Sequence, residues 1–311
     1  MKLALLVLES SRRMSSPRQI LSGRFYMLTR RCTQRQFLLR PDPDTNNAFA
    51  YCLAEAAQRF KIELVLTQQM SNHHHTVLLD RSGMVVEFMA HFHKLVAKCQ
   101  NALHGRWENV WSSEPACLVH LVDPADVIDK LIYVATNPVK DGLVERVHHW
   151  PGLNAVSALL AERPLRAHRP RHFFRNNGPM PKVVTLTLSI PPELGDRNQV
   201  VAQLRAGITK VEVAHAQRRL ETGGRVLGRR GIVRQSWREC PTTYVPRRDL
   251  RPRVAARCRW ARMEALYRNR EFLIAYRTAR AAWIAGTPTI FPVGTYWLHR
   301  FAGVPVASEA N

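Results

Sequence analysis

Apolar and polar positions follow two different periods along the first 140 residues. After Gly23 the stretch RFYMLTRRC alternates with a period of two, which predicts a strand, whereas residues 44–60 place apolar side chains at helical spacing. Both patterns recur further along the chain. The predicted strands are 24–32, 62–70, 73–80 and 116–122, and the predicted helices are 44–60, 84–103 and 124–137.

This order, β-α-β-β-α-β-α, predicts an α+β fold with an antiparallel sheet of four or five strands. The turn between the second and third strands is short, so these two strands are expected to pair as a hairpin. Asp123 and Pro124 suit the first turn of the last helix, and Pro138 and Gly142 are expected to end it.

The length of the chain allows two domains. It has 311 residues, of which 46% are hydrophobic. Residues 161–183 are rich in proline and arginine and are predicted to form a linker. The linker would separate a first domain at 17–160 from a basic, mostly helical extension at 184–311. Residues 1–16 are predicted to be disordered or to precede the true start, for which Met14 is a candidate.

Positive charge is concentrated in the second half of the chain. The net charge is +22, and residues 1–150 hold 18 basic and 14 acidic residues, which leaves 28 basic and 10 acidic residues for 151–311. All but two of those 28 are arginines, which suit bidentate phosphate contacts and stacking on bases. The second half is therefore expected to bind a polyanion, with a solvated basic surface as the alternative.

The cysteines and the apolar runs indicate where the protein works. The six cysteines are scattered and form no CxxC pair, which favours reduced thiols in the cytoplasm over a disulfide framework or a structural zinc site. The apolar run at residues 3–8 is too short for the core of a signal peptide, and no later stretch approaches a membrane span. We therefore expect a cytoplasmic protein, associated with the nucleoid if its polyanion is DNA.

Three consecutive histidines open the third predicted strand. Successive side chains of a strand alternate between faces, so His73 and His75 project together and His74 projects to the other side. Two imidazoles at that spacing can share one divalent ion. His91 and His93 have the same spacing but lie in a predicted helix, where positions i and i+2 are about 200° apart and cannot share an ion. The pattern HxH is thus informative only in the strand, and even there, without further support, it favours ordinary histidines over a metal site.

Two residues of the last predicted helix add to the histidine pair. Tyr133 and Asn137 are four positions apart and therefore share a helix face. A carboxamide oxygen can complete a site for a hard cation with two imidazoles, and a tyrosine one turn away could attack a phosphate that the metal polarises. The alternatives are a half-buried core tyrosine and an asparagine that caps the helix.

The motifs MSNHHH and YVATNPVKDGLV resemble the MPNHxH strand and the YIxxNPVxxGLV helix of the single-tyrosine HUH transposases. Within that family, the chain is most similar to the bacterial transposases associated with repetitive extragenic palindromes. The stretches GRFYMLTRRCTQRQFLL and WPGLNAV also resemble the first strand and the segment after the helix. The resemblance covers roughly residues 17–155. One position departs from the pattern, since the usually apolar middle residue of the strand motif is His74.

The resemblance implies a fold, a set of site residues and a reaction. The fold is the HUH endonuclease arrangement, with a ferredoxin-like or RRM-like topology and helices on one face of the sheet. His73, His75 and Asn137 correspond to the ligands of Mg²⁺ or Mn²⁺, and Tyr133 corresponds to the nucleophile. The expected reaction is cleavage and transfer of single-stranded DNA next to a hairpin, through a 5′-phosphotyrosine link, by a monomer or a homodimer.

The sequence is also compatible with two other functions. One is a domesticated protein that binds palindromic DNA without cutting it, and the other is a metal-dependent nuclease in which water replaces Tyr133. The DNA contacts of the second half are assigned to arginines in basic stretches: Arg229, Arg230, Arg247, Arg248, Arg257 and Arg259. The glycine-broken stretch GRVLGRRG is predicted to be a loop whose backbone N–H groups could wrap a phosphate. The aromatic residues of 250–284 are predicted to form a core stripe, with base stacking as the alternative.

Overall fold

A computed structural model describes residues 17–243 and 252–308. Within these ranges the chain divides into two compact units, one formed by Gly23–Arg257 and the other by residues 17–22 and 258–308. The prediction that residues 1–16 are disordered or precede the start lies outside the described residues. That the chain before residue 160 folds as an independent domain remains a prediction. The compact units themselves divide at another position, between Arg257 and Cys258.

The first unit is built on a mostly antiparallel sheet, as the sequence predicted. Its strands are β1 (Arg24–Arg31), β2 (Glu63–Gln69), β3 (His73–Asp80), β4 (Cys117–Leu121) and the short β7 (Val254–Ala255), which adds in parallel to β4. Their order across the sheet is β2-β3-β1-β4-β7. Strand β3 therefore lies inside the sheet, between β2 and β1, and it is buried along almost its whole length.

Helices cover both faces of this sheet. The helices of the first unit that pack on the sheet include α1 (Pro43–Phe60), α2 (Val85–His104) and α3 (Pro124–Lys140), whereas α5 (Arg197–Thr222) packs on α3. The sequence predicted helices on one face of the sheet. Helices α1 and α2 share one face, the side that carries His74. Helix α3 packs on the other side, where Val77 and Leu79 of β3 join its apolar residues in one core. The two sides of β3 thus face different helices.

Helix α3 begins where the sequence predicted and continues past its predicted end. Asp126 accepts a hydrogen bond from the backbone N–H of Asp123 at 3.1 Å, so the first turn is closed by its own side chains. Pro138 lies inside the last turn instead of ending the helix. Proline lacks a backbone N–H, but beyond it the carbonyls of Asn137 and Pro138 accept from the backbone N–H groups of Asp141 and Leu143 at 3.0 and 2.9 Å. The last turn therefore keeps Asn137 in helical geometry.

The segment predicted to be a linker is folded onto the first unit. Strand β5 (Leu165–His168) pairs with β6 (Val183–Leu186) in a separate two-stranded sheet. The hydroxyl of Tyr51 on α1 donates to the carbonyl of Pro181 at 2.7 Å. The prediction of a linker was wrong at residues 165–168, which form a paired strand. The proline and arginine content of a segment does not show which other segment pairs with its backbone.

Two short helices complete the first unit. They are α4 (Val156–Leu160) and α6 (Gly228–Arg234). The predicted loop at 224–231 is found only at residues 224–227, because residues 228–231 belong to α6. The backbone N–H groups of Leu227 and Gly228 donate to the carbonyls of Gly142 and Leu143 at 3.1 and 2.9 Å. These two groups are already bonded, so they do not serve as the phosphate cradle that the sequence suggested.

The second unit contains the helices α7 (Arg259–Ile284) and α8 (Trp297–Ala302) around a small apolar core. Phe291, Ala279 and Val304 are buried in this core. The backbone N–H of Ile20 donates to the carbonyl of Gly294, whose φ of +83° is one that L side chains rarely adopt. Across the described ranges, no helix combines the length and the hydropathy required of a transmembrane span.

Candidate active site

The strand register places the histidines as alternation predicted. Thr29 of β1 pairs with His75, and Arg31 pairs with His73. The imidazole rings of His73 and His75 share one face, with centroids 4.9 Å apart. Because β3 is an inner strand, hydrogen bonds on both of its edges hold this pair in place.

Hydrogen bonds fix which nitrogen of each ring is available to a ligand. Nδ1 of His73 donates to Oδ1 of Asn72 at 2.7 Å, so the lone pair of this neutral ring is on Nε2. Nε2 of His75 faces the Nδ2 donor of Asn137, so this ring carries its proton on Nδ1 and donates it to the Thr29 hydroxyl at 2.7 Å. Such outer hydrogen bonds orient metal-binding histidines and set their tautomer.

Burial keeps both rings neutral. It lowers the pKa of His73 well below the usual value, and the neighbouring His75 ring acts in the same direction. Burial also lowers the pKa of His75 to about 4, with Arg31 as the second cause. Neutral imidazoles can bind a cation without first losing a proton.

The last turns of α3 bring Tyr133 and Asn137 to the histidines. Nδ2 of Asn137 lies 3.4 Å from Nε2 of His75, and the ring centroids of Tyr133 and His75 are 5.5 Å apart. Asn137 is 5% exposed and its Oδ1 atom has no hydrogen-bond partner within the described part of the chain. A buried carboxamide oxygen without a partner is costly unless something binds it. Tyr133 is 36% exposed, so its hydroxyl can be reached from outside.

Charged groups surround the Tyr133 ring. Burial raises the pKa of Tyr133, and the nearby carboxylate of Asp141 raises it further. The ammonium groups of Lys140 and Lys130 lie 4.9 and 5.7 Å from the ring centroid. Burial lowers the pKa of Lys140, and repulsion from Lys130 contributes. The tyrosine therefore rests as a phenol beside two cations that would stabilise its anion.

The residues present fit one divalent cation of the Mg²⁺ or Mn²⁺ type. Among the described residues, no three His, Cys, Asp or Glu side chains form a metal-binding group, so a third ligand must come from another residue type. The carboxamide of Asn137 could supply it, since its Nδ2 lies 3.4 Å from Nε2 of His75 and its buried Oδ1 has no partner among the described residues. Two imidazoles and an amide oxygen form a mixed donor set, which suits Mn²⁺ at least as well as Mg²⁺.

The other histidine pattern forms no such site. On α2, Nε2 of His91 bonds to Glu55 at 2.6 Å, whereas Nε2 of His93 lies 2.9 Å from Nε2 of His74. His91 and His93 thus face different partners, as helical geometry predicted. His74 itself is fully buried on the side of the sheet opposite His73 and His75.

The arginines predicted to bind DNA are distributed over both units. Arg229 and Arg230 are exposed on α6, which hydrogen bonds to the segment directly after α3. Arg257 is exposed and pairs with Asp129 of α3 at 3.1 Å. Arg259 is exposed at the start of α7. The predicted contacts Arg247 and Arg248 lie outside the described residues.

The aromatic residues of α7 have two different environments. Phe272 is 4% exposed, and Tyr276 and Trp283 contact Phe291 of the small core. These residues follow the predicted core stripe. Trp260 is 75% exposed and Tyr267 is 62% exposed, so these two do not belong to that core.

The sequence reasoning missed three neighbours of the site. Lys140 is seven positions after Tyr133 and therefore on the same helix face, so spacing alone could have indicated it. Asp141 follows directly as the C-cap. Thr29 could be assigned only once the register between β1 and β3 was known, because that register decides which β1 residue lies opposite His75.

No protein-family model and no curated protein matches this chain. Among solved structures, the chain is similar to one described as a REP-associated tyrosine transposase bound to a REP hairpin, with 16% sequence identity and a TM-score of 0.41. That similarity covers 52% of this chain and 88% of the other chain.

Proposed function

We propose that this protein is a metal-dependent DNA strand transferase that cuts single-stranded DNA beside a hairpin and keeps one end as a 5′-phosphotyrosine. The observation that carries the proposal is the convergence of Tyr133 and Asn137 with two neutral histidines on one side of the sheet. Two distant stretches of sequence meet there, and each contains a motif that resembles the same enzyme family.

In the proposed reaction Tyr133 supplies the nucleophile. Its hydroxyl oxygen forms a bond to the scissile phosphorus, and the bond from phosphorus to the 3′ oxygen breaks. The phenol loses its proton and the departing 3′ oxygen gains one, so the products are a 5′-phosphotyrosine and a free 3′-OH. The number of phosphoester bonds is unchanged, and the reverse attack by a 3′-OH can rejoin a strand without ATP.

Two lysines near Tyr133 stabilise the phenolate that the reaction requires. Lys140 and Lys130 place two positive charges within 6 Å of the ring centroid, where they favour the phenolate over the phenol. Burial of the Tyr133 hydroxyl and the carboxylate of Asp141 both raise the pKa of Tyr133, so the resting tyrosine is protonated.

His73, His75 and Asn137 would hold the Mg²⁺ or Mn²⁺ ion. When bound, such an ion polarises the scissile phosphate and stabilises the charge that develops on it. The chain itself presents Nε2 of both rings without a proton and keeps their orientation through Asn72 and Thr29. The ligands are therefore preorganised before the ion arrives.

Each unit carries exposed arginines that would contact DNA, on α6 in the first unit and on α7 in the second. Arg229 and Arg230 follow a backbone connection to Gly142 and Leu143, directly after the helix that carries Tyr133. Phosphate contacts from these side chains would supply affinity without sequence readout. Trp260 and Tyr267 are exposed beside arginines on α7 and would stack on unpaired bases.

The experiment that tests the proposal is an adduct assay. The protein is incubated with Mn²⁺ and a labelled single strand that carries a hairpin, a probe suggested by the hairpin in the similar solved structure. Denaturing electrophoresis then separates free DNA from covalently bound DNA. We expect a labelled band at the mass of the protein that requires Mn²⁺ and disappears after protease treatment.

Two results would contradict the proposal and favour another function. Cleavage without any covalent adduct would favour a nuclease that uses water in place of Tyr133. Tight binding of the hairpin strand with neither cleavage nor adduct, across Mn²⁺ and Mg²⁺, would favour a DNA-binding protein without catalysis.

A further inference from the structure

A continuous chain of buried hydrogen bonds lies behind the candidate metal site, on the other face of the sheet. It begins at Nη1 of Arg30, 3.3 Å from Nδ1 of His93, and passes from Nε2 of His93 to Nε2 of His74 at 2.9 Å. It continues from Nδ1 of His74 to the hydroxyl of Thr76 at 3.2 Å and then to the hydroxyl of Thr67 at 3.0 Å. The chain ends at the carbonyl oxygen of His75, 3.3 Å from the Thr67 hydroxyl.

The direction of every bond in the chain follows from its two ends. Arg30 can only donate, so Nδ1 of His93 accepts and the proton of this neutral ring is on Nε2. His93 then donates to Nε2 of His74, whose own proton must be on Nδ1 and is donated to Thr76. Thr67 donates to the carbonyl of His75 and therefore accepts from Thr76. In every bond of the chain the donor is therefore the residue closer to Arg30, and the last acceptor is the carbonyl oxygen of His75.

Burial supports this assignment. His74, Thr76 and Thr67 are fully buried and His93 is 2% exposed, so none of their polar atoms has water as an alternative partner. The bond directions give each ring one proton, on Nε2 of His93 and on Nδ1 of His74.

The apolar residues of β3 leave its register weakly determined. Both faces of the strand are buried, and Val77, Leu78 and Leu79 would suit either face. A shift by one residue would exchange the faces, so His74 would enter the metal site and His73 and His75 would leave it. The buried chain opposes this shift, because it joins β1, β2, β3 and α2 through polar atoms that fit in one register only.

We propose that His74 and His93, with Thr76 and Thr67, are positioning residues that fix the register of β3 and so hold His73 and His75 on the side of Asn137. This proposal rests on the proposed metal site. A change in α2, across the sheet from the site and without contact to it, should then weaken metal binding.

The test compares Mn²⁺ affinities of the full chain and its variants, measured by the electron paramagnetic resonance signal of free Mn²⁺. His93→Leu removes the donor to His74, and we expect its dissociation constant for Mn²⁺ to rise roughly tenfold or more. Thr67→Val keeps the shape of the side chain and breaks the other end of the chain, so it should act in the same direction. His93→Gln keeps both an acceptor for Arg30 and a donor for His74, and it should remain within a few-fold of the unchanged protein.

A matched control separates positioning from packing. Phe92 contacts the His74 ring at a centroid distance of 5.3 Å and has no part in the hydrogen-bond chain. Phe92→Leu should lower the melting temperature while leaving Mn²⁺ affinity nearly unchanged. The proposal is overturned if His93→Leu and Thr67→Val both bind Mn²⁺ as the unchanged protein does, or if Phe92→Leu weakens binding as much as they do.

Hydrogen exchange of the metal-free protein tests the register without relying on the metal. We expect the amides of residues 73–77 to exchange faster in His93→Leu and Thr67→Val than in Phe92→Leu, at matched temperatures below melting. Equal exchange in all three variants would overturn the proposed positioning role. If the unchanged protein binds no Mn²⁺, the proposed metal site fails, and exchange alone decides whether the buried chain fixes the register.

Discussion

The side chains of Asn137 and His75 meet at 3.4 Å although they are 62 positions apart in the sequence. One lies in the last turn of α3 and the other in an inner strand of the sheet. Their contact brings the two sequence motifs together, with the Tyr133 ring 5.5 Å from that of His75.

Replacing the nucleophile should separate binding from chemistry. Tyr133→Phe removes one hydroxyl, so we expect adduct formation to be lost while the affinity for the hairpin strand stays within a few-fold. The measurement is the adduct assay together with a DNA-binding titration on the same preparation. Tyr267→Phe, at an exposed tyrosine of α7, is the matched control and should form the adduct normally. An adduct of normal yield in Tyr133→Phe would show that another residue attacks the phosphate.

Removing the ligands should reduce metal binding in a graded way. His73→Ala and His75→Ala each delete an imidazole ligand, and we expect each to weaken Mn²⁺ binding by about 100-fold and to abolish the adduct. Asn137→Ala deletes one neutral oxygen and should have a smaller effect. Isothermal titration with Mn²⁺ measures the three affinities.

The control for the ligand variants is a histidine with the same spacing pattern on a helix. His91→Ala changes a residue whose ring bonds to Glu55, away from the site. It should bind Mn²⁺ with nearly unchanged affinity. If His91→Ala weakened Mn²⁺ binding as strongly as His75→Ala, the two histidines of β3 would not be the ligands.

Stability should fall in mild acid. The pKa of His75 is lowered to about 4 and those of His73, His74 and His93 lie well below their usual 6.5, so each takes up a proton on unfolding. Their contribution to stability is present above pH 6.5 and is lost as the pH falls from 6.5 towards the folded pKa values. Each such histidine contributes up to about 1.4 kcal/mol per pH unit in that window.

Urea unfolding of the metal-free protein at pH 7.5, 6.0 and 5.0 measures this dependence. A double variant, His74→Val with His93→Leu, lacks two of the four titrating rings and should show a shallower decline. A free energy of unfolding that is equal at pH 7.5 and 5.0 would contradict the neutral state of the buried histidines.

The arginines of α6 should contribute to the salt dependence of DNA binding. Each phosphate contact on a single strand contributes about −0.7 to the slope of log K against log salt. Arg229→Ala combined with Arg230→Ala should therefore weaken binding and make the slope shallower by up to about 1.4. Fluorescence anisotropy at several salt concentrations gives both quantities.

Lys98→Ala is the control for the arginine variants, because Lys98 is exposed on α2, which packs on the face of the sheet opposite the site. It should leave the slope unchanged. Equal slopes for the arginine double variant and the unchanged protein would show that α6 does not contact the DNA backbone.

Local periodicity was sufficient to predict most strands of the sheet and the helices between them. The strand at residues 73–80 and the order β-α-β-β-α-β-α were predicted correctly, because alternation and helical spacing report which side of each element is buried. Alternation also separated His73 and His75 from His74 before any fold was known. Composition was less informative, since the proline-rich and arginine-rich segment after residue 160 pairs and packs in ways that its residue types do not encode.

The environment of each site residue was decided by the tertiary structure. The sequence determined that Tyr133 and Asn137 share a helix face and that His73 and His75 share a strand face. Only the fold decided that those two faces meet, that Oδ1 of Asn137 is buried without a partner, and that His74 bonds to His93. The physical reason is that a pattern along the chain fixes directions within one helix or strand, whereas burial and hydrogen bonding depend on which elements pack together.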